Sequence, residues 1–239
     1  MKKTLLFVVF IISVGFIQAQ NADEIVAKHL AAIGASNWAK INSVRMEAQI
    51  ASEAAAGMIY QWEMTAIRDQ AARMDLSVMN MNQITVVNGN NGWFTNPFLG
   101  KFDPEPLKPD QVASFKDMTD IDGSLVGYKE KGYTLEYVGT EVVEGTDAIK
   151  IKLNKSQKTE YSFFDPATYY EIKKVVVEEL EGQTVEGTTL YSNFKTQEGI
   201  VIPFTMQQSG GSMGNSIITL TTITFNLTVD NTIFEMPKK

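Results

Sequence analysis

Residues 58–78 read MIYQWEMTAIRDQAARMDLSV, and this stretch decides the class of fold. Apolar side chains occupy every second position in it, first at Met58, Tyr60, Trp62 and Met64 and later at Met74, Leu76 and Val78. Polar residues fill the positions between them. Because successive side chains of a β-strand point to opposite faces of a sheet, this period predicts strands with one buried and one solvated face.

The same alternation continues on both sides of this stretch. It begins at residues 44–50 and returns, after an interruption, in segments separated by short turns: 149–153, 160–164, 169–178, 184–194, 201–207 and 216–225. The run Asn88-Gly89-Asn90-Asn91-Gly92 suits a hairpin turn, with residues 93–95 as the return strand. The pattern contains no regular alternation of strand and helix, so a parallel sheet is excluded. We expect a mainly β (α+β) fold, a curved sheet of about eleven antiparallel strands in one domain over residues 20–239.

One helix precedes the strands. Asn21 is a typical N-cap residue, Ile25, Val26 and Ile33 recur at helical spacing, and Gly34 is typical of a helix end. We expect the apolar stripe of this helix to cover the sheet.

Residues 97–131 interrupt the alternation. The segment contains Pro97, Pro104, Pro106 and Pro109, and proline removes a backbone donor that a central strand needs. We therefore expect no long strand here, but short helices at 111–118 and 123–129. Long insertions of this kind are often lids over a binding site.

The N-terminus has the pattern of a cleavable signal peptide. Lys2 and Lys3 precede an apolar run at residues 5–17, and the small residue Ala19 follows. The run is shorter than the roughly 20 residues that a membrane-spanning helix needs. We expect residues 1–19 to be removed, and the mature protein to be exported to the periplasm and not integral to the membrane.

Composition excludes several functions. The chain has no cysteine, so it has no disulfide, no thiol nucleophile and no site for a lipid anchor. Its formal net charge is −7, and loss of Lys2 and Lys3 would make it −9. Such a surface repels nucleic acid, and we expect no nucleic-acid partner.

Catalytic and metal-binding patterns are also missing. The single histidine, His29, lies on the apolar stripe of the first helix and is expected to pack there. No nucleophile elbow, phosphate-binding loop or complete calcium loop is present. We therefore expect a protein that is not an enzyme and that uses no cofactor and no metal.

The first strands concentrate methionine and aromatic residues. A methionine-lined surface can repack around apolar guests of different shapes. The candidate ligand-binding residues are Met46, Met58, Tyr60, Trp62, Met64, Met74, Leu76, Trp93, Phe94 and Phe98. Cores and apolar cavities use the same side chains, so these residues could equally fill a core, and the pattern leaves both interpretations open.

Short stretches along the whole chain after residue 20 resemble the outer-membrane lipoprotein-sorting (LolA/LolB-like) superfamily. They are 22–29 (ADEIVAKH) with Ile33-Gly34, 41–47 (INSVRME), Asn88-Gly89 with Gly92-Trp93, 96–98 (NPF) with Gly100-Lys101, 123–126 (GSLV), 164–166 (FDP), 202–204 (IPF) and 234–237 (FEMP). The resemblance implies an unclosed β-barrel of about eleven strands, covered by a few helices.

The resemblance also implies a function. Members of the superfamily hold acyl chains or other lipids in a cavity between the half-barrel and its helices, without a cofactor and without catalysis. The expected partners are a lipid or an acylated lipoprotein and the envelope proteins that donate or accept it, and the expected state is a monomer. The alternative is a non-catalytic interaction or regulatory module of the cell envelope on the same scaffold.

Overall fold

The computed structural model describes residues 21–155, 158–180, 183–210 and 214–238. The predicted signal peptide therefore lies outside the described residues. In the described part there are three α-helices: α1 (Ala22–Ala32), α2 (Ala35–Trp38) and α3 (Pro109–Phe115). The strands are β1 (Ser43–Ser52), β2 (Ile59–Ile67), β3 (Ala71–Val78), β4 (Met81–Asn88), β5 (Asn91–Asn96), β6 (Lys101–Pro106), β7 (Thr134–Val143), β8 (Thr146–Asn154), β9 (Lys158–Phe164), β10 (Glu171–Leu180), β11 (Gln183–Gln197), β12 (Ile200–Gly210) and β13 (Ser216–Phe225).

All these strands belong to one antiparallel sheet of 13 strands, in the order β6-β5-β4-β3-β2-β1-β13-β12-β11-β10-β9-β8-β7. Two meanders meet where β1 pairs with β13, and β6 and β7 remain at opposite edges. The sheet is therefore not closed. This confirms the predicted unclosed barrel.

Strand β6 lies inside the segment for which prolines predicted no long strand. It contains Pro104 and Pro106 and pairs only with β5. An edge strand can contain proline because one of its sides needs no backbone donor. This edge strand is one reason why the sheet has more strands than the expected eleven or so.

The two faces of the sheet are covered differently. We call the face that packs against α1, α2 and residues 107–133 the inner face, and the opposite one the outer face. On the inner face, α1 contributes Ile25 and Val26 to a cluster with β8 and β9 that includes Ile151, Leu153 and Phe164. The predicted role of the first helix, to cover the sheet, is confirmed.

Helix α1 begins and ends as the sequence predicts. The Asn21 side chain accepts a hydrogen bond from the backbone N–H of Asp23 at 2.9 Å, and Gly34 follows the helix with a φ of 70°. This left-handed conformation is favourable mainly for glycine. Helix α2 follows, and the ring of its residue Trp38 meets the ring of Phe225 edge-to-face.

The connection between β6 and β7 covers the inner face. Helix α3 and a 3-10 helix at Lys116–Thr119 agree with the helix expected at 111–118. The helix expected at 123–129 is wrong, because the structure has turns there and Gly123 and Gly127 take φ values of 81° and 61°. Met118 and Ile121 pack into the core formed by β1, β2, β12 and β13.

A C-terminal 3-10 helix, Asn231–Phe234, covers part of the outer face. Phe234 is buried there against Ala71, Val86 and Trp93. In the part of the chain that the structure describes, no helix is both long enough and apolar enough to cross a membrane.

Candidate functional site

The strand register brings most of the predicted ligand-binding residues to the inner face. Met46, Met64 and Met74 lie side by side across β1, β2 and β3. The next row contains Trp62 opposite Leu76, and Tyr60 lies opposite Ile50 one row further. This arrangement follows from the period of two, because residues with the same parity share a face.

Part of this face is filled by protein. Met46 and Trp62 pack against the core cluster together with Met118, Met206 and Ile218. These side chains occupy the space between the sheet and the connection that covers it. In this part of the inner face, the methionines therefore fill the core and do not line a cavity.

An apolar pocket lies at one end of the same face. Its volume is about 350 Å³, and its wall consists of Ile50, Ser52, Ala54, Ala55, Tyr60, Leu76, Phe98 and Ser216. The rings of Tyr60 and Phe98 meet edge-to-face with their centroids 6.3 Å apart. The pocket thus brings together Tyr60, Leu76 and Phe98, three of the residues predicted from the sequence.

The remaining predicted residues lie elsewhere. Trp93 is on the outer face, where the hairpin register places it opposite Val86 and next to Phe234, away from the apolar pocket. Phe94 lies opposite Thr85 on the inner face, and the ammonium of Lys101 lies 5.1 Å from its ring centroid. Met58 is in the loop between β1 and β2 and is exposed.

The mouth of the apolar pocket has exposed apolar neighbours. The loops between β1 and β2 and between β5 and β6 supply Ala54, Ala55 and Phe98 to the pocket wall. The same loops carry Met58 and Leu99, and Leu99 is 75% exposed. Met79, in the connection of β3 and β4 at the same end of the sheet, is 69% exposed. The pocket therefore opens at an apolar rim.

A second cavity of about 200 Å³ lies under α1, at the inner face of β10, β11 and β12. Its lining combines apolar residues, among them Leu30, Ile33, Trp38 and Ile202, with the charged residues Asp122, Glu171 and Lys174. The sequence analysis did not identify this cavity. It shares no lining residue with the apolar pocket.

Charged side chains are buried beside this second cavity. Glu160 accepts hydrogen bonds from the hydroxyl of Ser124 at 2.6 Å and from the ammonium of Lys155 at 3.0 Å. The ammonium of Lys174 lies 3.4 Å from a carboxylate oxygen of Glu171 and 4.0 Å from one of Glu160. Lys155 also contacts Asp117 at 2.8 Å, and Lys158 contacts the same carboxylate. Three lysines and three carboxylates thus form a partly buried cluster whose formal charges cancel.

Electrostatics keep these groups charged. Burial by itself would lower the pKa of Lys174, but Glu171, Tyr191 and Glu160 outweigh it and raise that pKa well above its usual range. Burial would raise the pKa of Glu160, but Lys174, Ser124 and Lys155 hold that pKa below its usual 4.5. Burial also raises the pKa of Tyr191 to about 12. At neutral pH Lys174 and Glu160 are therefore ionised and Tyr191 is a neutral phenol.

His29 packs as the sequence predicts. It is 6% exposed, its ring lies 4.6 Å from that of Phe164 between centroids, and its Nδ1 lies 2.8 Å from the carbonyl oxygen of Tyr169. Burial lowers its pKa below 6.5. Among the described residues, no group of three or more His, Cys, Asp or Glu side chains is arranged to hold a metal ion.

The molecule is thus an open antiparallel half-barrel whose inner face is covered by helices and turns. No family model matches the chain, and no curated protein matches it in sequence. Solved structures, in contrast, match the chain in fold. A LolA superfamily protein from Nitrosomonas europaea aligns over 91% of this chain and 98% of its own, with a TM-score of 0.57 and 14% identity.

A second solved structure gives the same result. It is a domain from Vibrio parahaemolyticus that is described as an outer membrane lipoprotein-sorting protein domain. It aligns over 89% of this chain and 95% of its own, with a TM-score of 0.58 and 13% identity. The protein therefore has a LolA-like fold, in a sequence that has diverged far from both structures.

Proposed function

We propose that this protein is a periplasmic carrier that binds the apolar chain of a lipid or an acylated lipoprotein and releases it to an acceptor. The observation that carries this proposal is the apolar pocket on the inner face, lined by Ile50, Tyr60, Leu76 and Phe98. The fold is similar to solved structures of a LolA superfamily protein and of a lipoprotein-sorting protein domain. The proposal needs no catalytic step.

The energetics of apolar burial suit reversible binding. Each methylene moved from water into an apolar pocket contributes roughly 0.8 kcal/mol, so a few methylenes provide useful affinity without making release slow. The methionines next to the pocket are unbranched and can change rotamer at low cost. A longer chain is accommodated if Met64 and Met74, neighbours across β2 and β3, move apart.

The rim of the pocket supports transfer. Exposed apolar side chains such as Met58 and Leu99 lie on the loops that form the pocket mouth. An apolar chain that leaves the pocket therefore meets apolar surface before it meets water. The signal peptide predicted from residues 1–19 supports export to the periplasm.

The test fills the pocket. Leu76→Trp places a larger side chain in the pocket wall, and we expect it to weaken binding of 11-(dansylamino)undecanoic acid, a fluorescent acyl probe, by about tenfold or more. Val142→Trp is the control, because Val142 is 65% exposed on the far edge strand β7 and should leave binding unchanged. Equal binding by both variants and the unchanged protein, or no binding by any of them, would contradict the proposal.

Native mass spectrometry provides a second readout that needs no chosen probe. Protein purified without detergent should carry a co-purifying lipid, and Leu76→Trp should reduce the occupied fraction. A mass that always equals that of the mature polypeptide would count against the carrier.

A second candidate function is an interaction module of the cell envelope. The observation that favours it is that Met46, Trp62, Met118 and Ile121 all pack against one core cluster, which fills the middle of the inner face. A protein that binds neither the acyl probe nor a co-purifying lipid would favour this alternative.

A further inference from the structure

The cavity under α1 has an unusual combination of surfaces. The side formed by the helices is mainly apolar, with Leu30 from α1, Ile33 directly after it and Trp38 from α2. His29, Asp122 and Ser124 also line this side. The other side is the inner face of the sheet, where Glu171 and Lys174 of β10 line the cavity beside Tyr191 of β11. A ligand that fits here needs an apolar part and a polar part.

A β-bulge creates this polar side. Residues three apart in a regular strand point to opposite faces, but the pairing of β9 and β10 shifts register between Glu171 and Lys173. Glu171 is paired with Phe164 and Lys174 with Ser162, and both pairs lie on the inner face. Bulges commonly redirect side chains next to binding sites.

Hydrogen-bonding capacity at this place is not used within the protein. The Oε1 atom of Glu171 is buried and has no hydrogen-bond partner among the described residues. The ammonium of Lys174 has three N–H donors and contacts two carboxylate oxygens of the described residues, at 3.4 Å in Glu171 and 4.0 Å in Glu160, which leaves donor capacity for a ligand. An acceptor and a donor therefore stand next to each other on the cavity wall.

The balance of charges around the cavity determines which class of ligand can bind there. Lys155, Lys158 and Lys174 balance Glu160, Glu171 and Asp117 in this cluster. Asp122, which also lines the cavity, is paired with Arg68. An additional buried ion would have no partner of opposite charge and would be strongly disfavoured. A neutral group that both donates and accepts a hydrogen bond meets no such penalty.

We propose that the cavity under α1 binds an uncharged amide attached to an apolar chain. The amide N–H donates to Oε1 of Glu171, and the amide carbonyl oxygen accepts from the ammonium of Lys174. The apolar chain lies along Leu30 and Ile33. This site is separate from the apolar pocket and goes beyond the proposed carrier function.

The test compares three probes with the same chain. Hexanamide, hexanoate and hexylamine are titrated at neutral pH into full-length mature protein with ¹³C-labelled methyl groups, and the Leu30 and Ile33 resonances are followed. Hexanamide is expected to shift these resonances with an affinity at least about tenfold higher than either charged probe. No shift with hexanamide, or equal affinity for the three probes, would overturn the proposal.

Charge variants test the assignment of the two residues. Glu171→Gln makes the cluster more positive by one charge and should shift the preference from hexanamide toward hexanoate. Lys174→Met makes it more negative by one charge and should shift the preference toward hexylamine. Lys173→Met is the matched control, since Lys173 lies on the outer face of the same strand and pairs with Glu141.

The variants also distinguish a change in ligand preference from a loss of folding. Each one is checked by thermal unfolding, and a reversed order of the probes cannot arise from an unfolded protein. A folded Glu171→Gln protein that keeps the original order of the probes would refute the assignment. The dansyl probe, which reports on the separate pocket at Leu76, tells whether the carrier function fails independently.

Discussion

The indole N–H of Trp93 donates a hydrogen bond to the backbone carbonyl oxygen of Phe234 at 3.1 Å. The contact joins strand β5 to the C-terminal 3-10 helix on the outer face of the sheet. Phe234 is 2% exposed and packs with Ala71 and Val86. The C-terminal 3-10 helix therefore contributes Phe234 to the folded core, although it lies outside the sheet.

Truncation of Phe234 should destabilise the protein. Phe234→Ala leaves a cavity over Ala71, Val86 and Trp93, and such changes cost about 3–5 kcal/mol. Urea unfolding measures the loss. Phe102→Ala is the control because Phe102 is 72% exposed, and its effect should stay within about 0.5 kcal/mol. Similar losses in both variants would show that the outer cluster contributes little.

Gly34 should not tolerate a side chain. Its φ of 70° is strained for other residues, and a Cβ atom would overlap the carbonyl oxygen of Gly199. Gly34→Ala should therefore cost more than the roughly 1–2 kcal/mol of left-handed strain alone. Gly57→Ala separates the two effects, because Gly57 has a φ of 84° and open space around it. The free energies of unfolding of the two variants should differ by the cost of the steric overlap with Gly199.

Arg68 joins three parts of the chain, and its guanidinium geometry matters. It donates to the carbonyl oxygens of Trp38 at 2.5 Å and Ile41 at 2.9 Å and to the carboxylate of Asp122 at 2.5 Å. Arg68→Lys keeps the charge but loses the planar fork, and we expect a loss of about 2–3 kcal/mol.

The control for this change is Arg45→Lys. Arg45 lies on the outer face, and its side chain is 43% exposed beside Glu63, so its ion pair is worth at most about 1 kcal/mol. Chemical denaturation of both variants measures the difference. A loss at Arg45 as large as that at Arg68 would contradict this interpretation.

His29 should make stability depend on pH near neutrality. Burial lowers the folded-state pKa of His29 below 6.5, although Glu171 raises it somewhat while Lys174 adds to the lowering. The unfolded chain therefore binds more protons, and the His29 contribution to stability is complete above pH 6.5 and is lost as the pH falls. Each unit of difference between the two pKa values corresponds to about 1.4 kcal/mol.

His29→Asn isolates this contribution. The wild-type protein should lose stability relative to the variant as the pH falls from about 7.5 to about 5.5. The comparison is necessary because burial raises the pKa of Asp120 to about 6. Asp120 therefore contributes to pH dependence with the opposite sign, since its protonation stabilises the folded protein as the pH falls. A constant difference in the free energy of unfolding over this range would refute the prediction.

The alternation of side chains predicted the sheet, but it could not assign every residue to a face. Trp93 and Phe94 are adjacent, and adjacent residues of one strand cannot share a face. The register of the hairpin, with Trp93 opposite Val86, decides which one points inward. Register depends on the pairing of two strands, and a single segment does not contain that information.

The sequence alone did not indicate the buried charges, for a similar reason. In a regular strand, Glu171 and Lys174 would lie on opposite faces and resemble ordinary surface residues. The bulge beside Lys173 places both on the inner face. Likewise, the prolines of β6 are compatible with a strand only because that strand is at an edge.

The sequence by itself determined the antiparallel class of the fold, the first helix between Asn21 and Gly34, and the inward position of Tyr60, Trp62 and Leu76. These properties depend on local periodicity and local backbone preferences, which neighbouring residues encode. Only the tertiary structure decided that Phe98 joins Tyr60 in a pocket, that the middle of the inner face is filled, and that Glu171 meets Lys174 under α1. These depend on register, a bulge and the packing of segments distant in the chain, where contact geometry and not residue type is decisive.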